Sequence, residues 1–218
     1  MSTVQSTAPT LAPAPAPTPE PADPRTFVPA TIDLGDLVLR PWERGLEVRG
    51  GAVPGLIAVA ADPDIALWNP LRAADPAQAE ACIDRWAAGW QAGTSADFAI
   101  LGAAEAELLG TVALLWVDRA DGLAMVGYRL LPAARGRGVV TRAVHAITRW
   151  GFATAGVRRL ELAHAVGNEA SCRVADRCGF PAEGTLRESY RFGDGRYHDE
   201  HLHARLAGDP EPGPTRTG

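Results

Sequence analysis

The chain has 218 residues, 22% of them charged and 46% hydrophobic, and a formal net charge of -5. That composition supports one domain with its own core, and the negative balance argues against a general nucleic-acid binder. The 21 basic residues are all arginine, which excludes lysine chemistry: a Schiff base to pyridoxal phosphate, a P-loop lysine and a kinase lysine.

Residues 1–28 alternate Ala, Pro and Thr. Such a segment buries too little apolar surface to offset its chain entropy, so a disordered tail is expected there, with a second at 207–218. The N-terminus lacks the basic region of a secretion signal. No run approaches the roughly 20 apolar residues of a membrane span. The three cysteines Cys82, Cys172 and Cys178 are too few and unevenly numbered for a disulfide framework. A soluble, cytoplasmic protein is expected.

Leu37–Glu43 reads as an opening strand and Pro54–Ala61 as a weak helix. Asp75–Gln91 is a stronger helix: Asp75 serves as N-cap, Pro76 takes the first position, and Gln78 closes a capping box. Phe98–Gly102 and Leu108–Val117 are strands. A turn at Asp121-Gly122 precedes Leu123–Leu131, which is nearly continuously apolar and so expected to be buried on both faces. Val139–Thr154 carries a helical apolar stripe. Arg159–Val166 is a strand, Glu169–Cys178 a short helix, and Phe180–Leu186 and Tyr197–Leu206 close the chain around a Gly193-Asp194-Gly195 turn.

Residues 122–160 contain seven arginines (Arg129, Arg135, Arg137, Arg142, Arg149, Arg158 and Arg159) and no acid. This suits a compact polyanion better than a long polymer. Within it, Arg135-Gly136-Arg137-Gly138-Val139-Val140 lies between a buried strand and a helix. Such a turn brings backbone N–H groups close to a ligand, and the helix behind it adds unpaired donors and a positive dipole end. It is not a dinucleotide fingerprint, because G-x-G-x-x-G is absent.

Together with Gly127-Tyr128, Asn168-x-x-Ser171, Gly179-Phe180, Glu183-Gly184 and Tyr197-His198-Asp199, this loop resembles the GNAT acyltransferase superfamily, and most closely its RimJ/RimL-like branch. The resemblance covers about residues 36–206. It implies a single α/β domain with a central mixed, mostly antiparallel sheet, splayed between its fourth and fifth strands and flanked by helices. It further implies acetyl-CoA as acyl donor, with Arg135, Gly136, Arg137, Gly138, Val139 and Val140 at the phosphates. Free backbone groups near Leu130 and Leu131 would meet pantetheine, and Asn168 is a pantetheine contact, a plain helix cap, or both. The acceptor is a primary amine, on a peptide N-terminus or a small molecule.

Ser171 and Tyr190 are candidate proton donors to the departing thiolate, with Tyr197 a further one. Glu188 is the candidate base, with Glu183 and His198 behind it and a plain surface charge as the alternative. Trp68, expected in a loop after the first helix, is the candidate acceptor contact. His198, His201 and His203 are expected to be structural, with no metal bound. Two readings stand: an N-acetyltransferase working by direct attack, monomeric or homodimeric, or an acyl-CoA-binding module without turnover.

Overall fold

The computed structural model describes residues 25–213; of the tails expected at 1–28 and 207–218, residues 1–24 and 214–218 lie outside them. The elements run β1 (Ile32–Asp33), β2 (Leu37–Pro41), α1 (Ala52–Ala61), α2 (Pro63–Trp68), α3 (Pro76–Ala92), β3 (Ser95–Gly102), β4 (Leu108–Asp118), β5 (Leu123–Leu130), α4 (Val139–Thr154), β6 (Arg159–Ala165), α5 (Glu169–Arg177), β7 (Ala182–Arg191) and β8 (Tyr197–Leu206).

The strands form a single sheet in the order β1-β2-β3-β4-β5-β6-β8-β7. Every neighbouring pair is antiparallel except β5 and β6. That parallel pair holds register only from Leu123↔Arg159 to Met125↔Glu161. Beyond it β5 continues to Leu130 and β6 to Ala165, so the two strands separate as a wedge. This is the splay expected between the fourth and fifth strands of the sequence reading.

Each face of the sheet is covered. Phe98, Leu114, Ile147 and Leu160 belong to the core on the α4 side. Trp42, Leu56, Val59 and Trp86 belong to a second core under α1 and α3. In α3 the cap forms as the sequence demands: the Gln78 N–H donates to Asp75 Oδ1 at 2.8 Å, and the Gln78 side chain donates back to Oδ2 at 2.7 Å.

Three expectations are corrected. The segment after α1 is a helix rather than a loop: Asp62 caps it, its Oδ1 accepting from Ile65 N–H at 2.9 Å, and Pro63 takes the first position. Trp68 is therefore the last residue of α2. The strand expected at 180–186 runs Ala182–Arg191, an exposed edge strand with a register break between Leu186 and Tyr190. The body also reaches past both of its expected ends. Phe27 is 1% exposed and stacks on Trp116 at 4.7 Å, a burial that contributes about 2–3 kcal/mol. At the other end Glu211 pairs with His145 and Arg205.

Candidate active site

A cleft of about 1180 Å³ opens where β5 and β6 part. One mouth is the Gly136–Gly138 loop at the start of α4, and the other is walled by α2, β3 and the β7–β8 hairpin.

At the first mouth the loop adopts the geometry an anion requires. Gly136 and Gly138 have φ of 73° and 71°, values open to glycine without strain. Arg135 before them is extended, with φ -69° and ψ 155°. Among the described residues, no backbone hydrogen bond outside the regular elements is donated by residues 136–140, and Gly138 receives no side-chain cap. These donors and the dipole end of α4 face the cleft.

The arginines around the loop are deployed differently from their expected role. Arg135 is tied to Asp62 at 2.5 Å, to Asp64 at 2.7 Å and to the Leu130 carbonyl at 3.1 Å. It binds the loop to α2 instead of standing ready for phosphate. Arg142 pairs with Asp36, Arg149 with Glu211, and Arg159 with Glu161 and Glu183. The acid-free stretch of sequence is thus largely neutralised by carboxylates from elsewhere. Arg137 differs. It makes one 3.5 Å contact to the Ala133 carbonyl and has no carboxylate within ion-pair distance among the described residues.

Along the wedge, Leu131 N–H donates to Leu109 O at 2.9 Å, and Leu131 O accepts from Ala134. The expectation of free groups at Leu131 is therefore corrected, since both are used within the fold. Strand alternation then turns the backbone of Tyr128 and Leu130 toward the departed β6. Their carbonyls are occupied, by Asn69 Nδ2 at 3.0 Å and by Arg135 Nε at 3.1 Å. What remains on this edge is two N–H donors.

Across the cleft, Asn168 caps α5, its Oδ1 accepting from Ser171 N–H at 3.2 Å, and Asn168 lines the cleft as well. Ser171 lines the cleft, as does Tyr128. The Tyr128 hydroxyl is buried without a well-formed hydrogen bond. Burial pushes it up to about 12, with the Ser171 side chain acting in the opposite direction.

The second mouth has an aromatic wall. Trp68 lies edge-on to Phe192 at 5.9 Å and to His198 at 6.3 Å, and Tyr190 meets Phe192 at 5.3 Å. Glu188 is not on this wall. The break in β7 gives it a φ of 46° on an exposed bulge, where its N–H donates to Asp199, and it does not line the cleft. Tyr197 and Glu183 also lie away from it, Glu183 being held by Arg159.

The carboxylate that does reach this side is one the sequence did not single out. Asp97 on β3 is 6% exposed, lines the cleft and accepts from Ser95 Oγ at 2.6 Å. Burial pushes it up to about 6, against the opposing pull of Ser95, Arg129 and Arg85. Asp97 stands opposite Ala113, and Ala113 opposite Gly127. Residues in register share a face. Two small residues therefore leave a trench about 10 Å long from the carboxylate to the edge of β5. A Cβ added at Gly127 would have nothing within 4 Å. Arg72, Arg85 and Arg129 face the same mouth, beside Asp64 and Asp97.

The family model for the acetyltransferase (GNAT) domain matches residues 36–181. The chain belongs to the GNAT acetyltransferase family. Among curated GNAT-type relatives, "Probable N-acetyltransferase YjcK" of Bacillus subtilis is 33% identical over 115 residues, 52% of this chain and 63% of that protein. The "Ribosomal-protein-serine acetyltransferase" of Escherichia coli is 30% identical over 102 residues, 47% of this chain and 56% of that protein. The chain thus spans between about half and two thirds of the curated relatives it matches. The solved structure of RimL, a ribosomal L7/L12 alpha-N-protein acetyltransferase in complex with coenzyme A, superposes with a TM-score of 0.72 at 20% identity, covering 81% of this chain and 98% of that one. The likeness shows the single α/β GNAT fold.

Proposed function

We propose that this protein is an N-acetyltransferase that moves an acetyl group from acetyl-CoA to a primary amine by direct attack. The observation that carries the reading is the coincidence, in one cleft, of the free amides of residues 136–140 with the unpaired N–H donors of Tyr128 and Leu130. The first set suits a diphosphate. The second suits the amides of an extended chain and the thioester oxygen. RimL and the microcin immunity acetyltransferase MccE were solved with coenzyme A and with acetyl-CoA, respectively.

Bound acetyl-CoA supplies the acetyl group as a thioester; the amine nitrogen bonds to the carbonyl carbon as the C–S bond breaks. The residues of this chain divide the remaining work. The amides of 136–140, with Arg137 at the rim, hold the diphosphate. The N–H groups of Tyr128 and Leu130 donate to the carbonyl oxygen as negative charge gathers on it, fixed dipoles that need no reorganisation. Asp97 accepts the proton the amine loses, through water in the trench. A carboxyl near 6 is ionised at neutral pH yet more basic than an ordinary aspartate. Tyr128 and Ser171 return a proton to the thiolate. Trp68 and Tyr190 shape the acceptor mouth.

Direct transfer is favoured over a cysteine relay. Burial raises Cys82 and pushes Cys178 up to about 12, the opposite of what a thiolate nucleophile needs, and Cys172 does not line the cleft. The acceptor is a peptide N-terminal amine or a small-molecule amine, and the setting is cytoplasmic. Among the described residues no helix is long and apolar enough to cross a membrane. The test is incubation with acetyl-CoA and a panel of amines, following free thiol and acetylated product. Calorimetry showing no acetyl-CoA binding would end the reading. Binding without transfer to any amine would leave a non-catalytic acyl-CoA module.

A further inference from the structure

Four side chains from three elements meet on the α5 face of the sheet: His164 of β6, Cys172 of α5, and His201 and His203 of β8. Their potential ligand atoms all lie within 4.8 Å of one another. The sequence places His201 and His203 on one face of a strand but gives no sign of the other two. Pairing sets His164 directly opposite His201, and α5 lowers Cys172 onto them, its Sγ 4.0 Å from His203 Nε2.

The hydrogen bonds around the two buried rings fix their tautomers. His164 Nδ1 lies 2.9 Å from the Ala165 carbonyl, and His203 Nδ1 lies 3.0 Å from the Phe180 carbonyl. A carbonyl only accepts, so each Nδ1 carries the hydrogen. Each Nε2 then presents a lone pair, and the two Nε2 atoms face each other at 3.2 Å. Two acceptors at that distance, with His164 4% and His203 1% exposed, repel unless a cation lies between them. Backbone carbonyls that hold histidine Nδ1 are also the outer support by which proteins aim imidazoles at metals.

We propose that His164, Cys172, His201 and His203 bind one divalent transition ion of the zinc type. Tetrahedral coordination at about 2.0–2.3 Å places ligand atoms about 3.3–3.7 Å apart, close to the 3.2 Å and 4.0 Å separations seen here. Three imidazoles and a thiolate suit zinc, cobalt or nickel over calcium or magnesium. A proton shared by His164 and His203 would serve that pair alone and give the thiol and the third imidazole no part. The ion is a clamp: it joins the helix bearing Ser171 to the two strands beside the cleft. The inference is independent of the acyl-transfer reading.

The test uses the full chain, stripped with chelator and titrated with Co²⁺. The expected result is one equivalent bound, a thiolate-to-cobalt charge-transfer band, d–d bands of tetrahedral intensity, and displacement by Zn²⁺. Cys82 and Cys178 are both buried, so the band reports on Cys172, and Cys172→Ser should remove it. Both Cys172→Ser and His201→Gln should weaken cobalt binding about tenfold or more, while far-ultraviolet dichroism and acetyl-CoA binding stay as in the parent. Failure of the parent chain to take up cobalt, or uptake without the thiolate band, overturns the proposal. So does binding of unchanged strength in both variants. Should one variant misfold, the parent spectrum and the other variant decide.

Discussion

Asp97 and Gly127 occupy one cross-strand row, two strands apart, with Ala113 between them. The row joins a buried carboxylate to the place where the sheet opens, and two predictions concern its ends.

At one end, Asp97→Asn should separate stability from activity. Burial raises the Asp97 carboxyl from 3.8 to about 6. A raised folded-state value favours the protonated form, so this group's contribution is fully present below about pH 4 and is lost as pH rises through 6. Asparagine keeps the neutral shape and can still accept from Ser95. The variant should match the parent near pH 4 and be up to about 3 kcal/mol more stable at pH 8, as read by urea unfolding at both values. Its transfer rate should fall about 100-fold or more, and the acid limb near pH 6 should vanish from its kcat/KM profile.

At the other end, Gly127→Val should fold at least as well as the parent. No atom lies within 4 Å of the added Cβ, and a β-branched residue suits a strand better than glycine, by about 0.5–1 kcal/mol. The branch would fill the trench. Turnover should collapse while acetyl-CoA binding changes little, because no phosphate-side donor is touched. A melting curve, calorimetry and a thiol-release assay on one preparation check all three.

Arg135 and Arg137 sit two residues apart and should fail differently. Arg135→Ala removes the bond to Asp62, a carboxylate held by α2 as its cap. Burial would raise Asp62, but the Ile65 amide and Arg135 outweigh it and hold the group below its ordinary value. A depressed value means that its stabilisation is present above pH 3.8 and is lost as pH falls through the folded value. The variant should be about 1–3 kcal/mol less stable at pH 7, with the deficit shrinking in acid. Denaturant midpoints across that range test it.

Arg137→Gln should leave stability unchanged, since the side chain has only a long contact to Ala133. Acetyl-CoA affinity should drop about 5–10-fold, the size of one charge-assisted contact near the surface. The salt dependence of binding should flatten. Calorimetry at low and high salt distinguishes this from the Arg135 defect.

Local signals carried much of the fold. The helix at 139–154 follows from its apolar stripe, and the Asp75-Pro76-Gln78 cap appears as written. The same logic would have found α2, because Asp62-Pro63 repeats the Asp75-Pro76 signature, but six residues offer too little periodicity to draw notice. The Gly136–Gly138 turn was legible because its glycines and the helix start behind it are contiguous in sequence. Asp97 was not, because a strand residue becomes a candidate base only when burial and two small neighbours on other strands act on it. The charge of the Arg-rich stretch misled for the same reason: Asp36, Asp62 and Glu183 lie far off in sequence. Glu188 misled because a bulge breaks the alternation that would have aimed it.

The N–H of Gly193, at the tip of the β7–β8 hairpin, donates to Leu67 O at 2.9 Å, and a Cβ there would come within 1.7 Å of the Ala66 carbonyl. The gap between hairpin and helix is therefore set by main chain touching main chain. Residues such as Trp68 and Tyr190 can vary among descendants of this sequence without moving the two jaws. On the proposed function, acceptor preference can then drift by exchange of side chains alone, while this main-chain contact holds the hairpin against the helix.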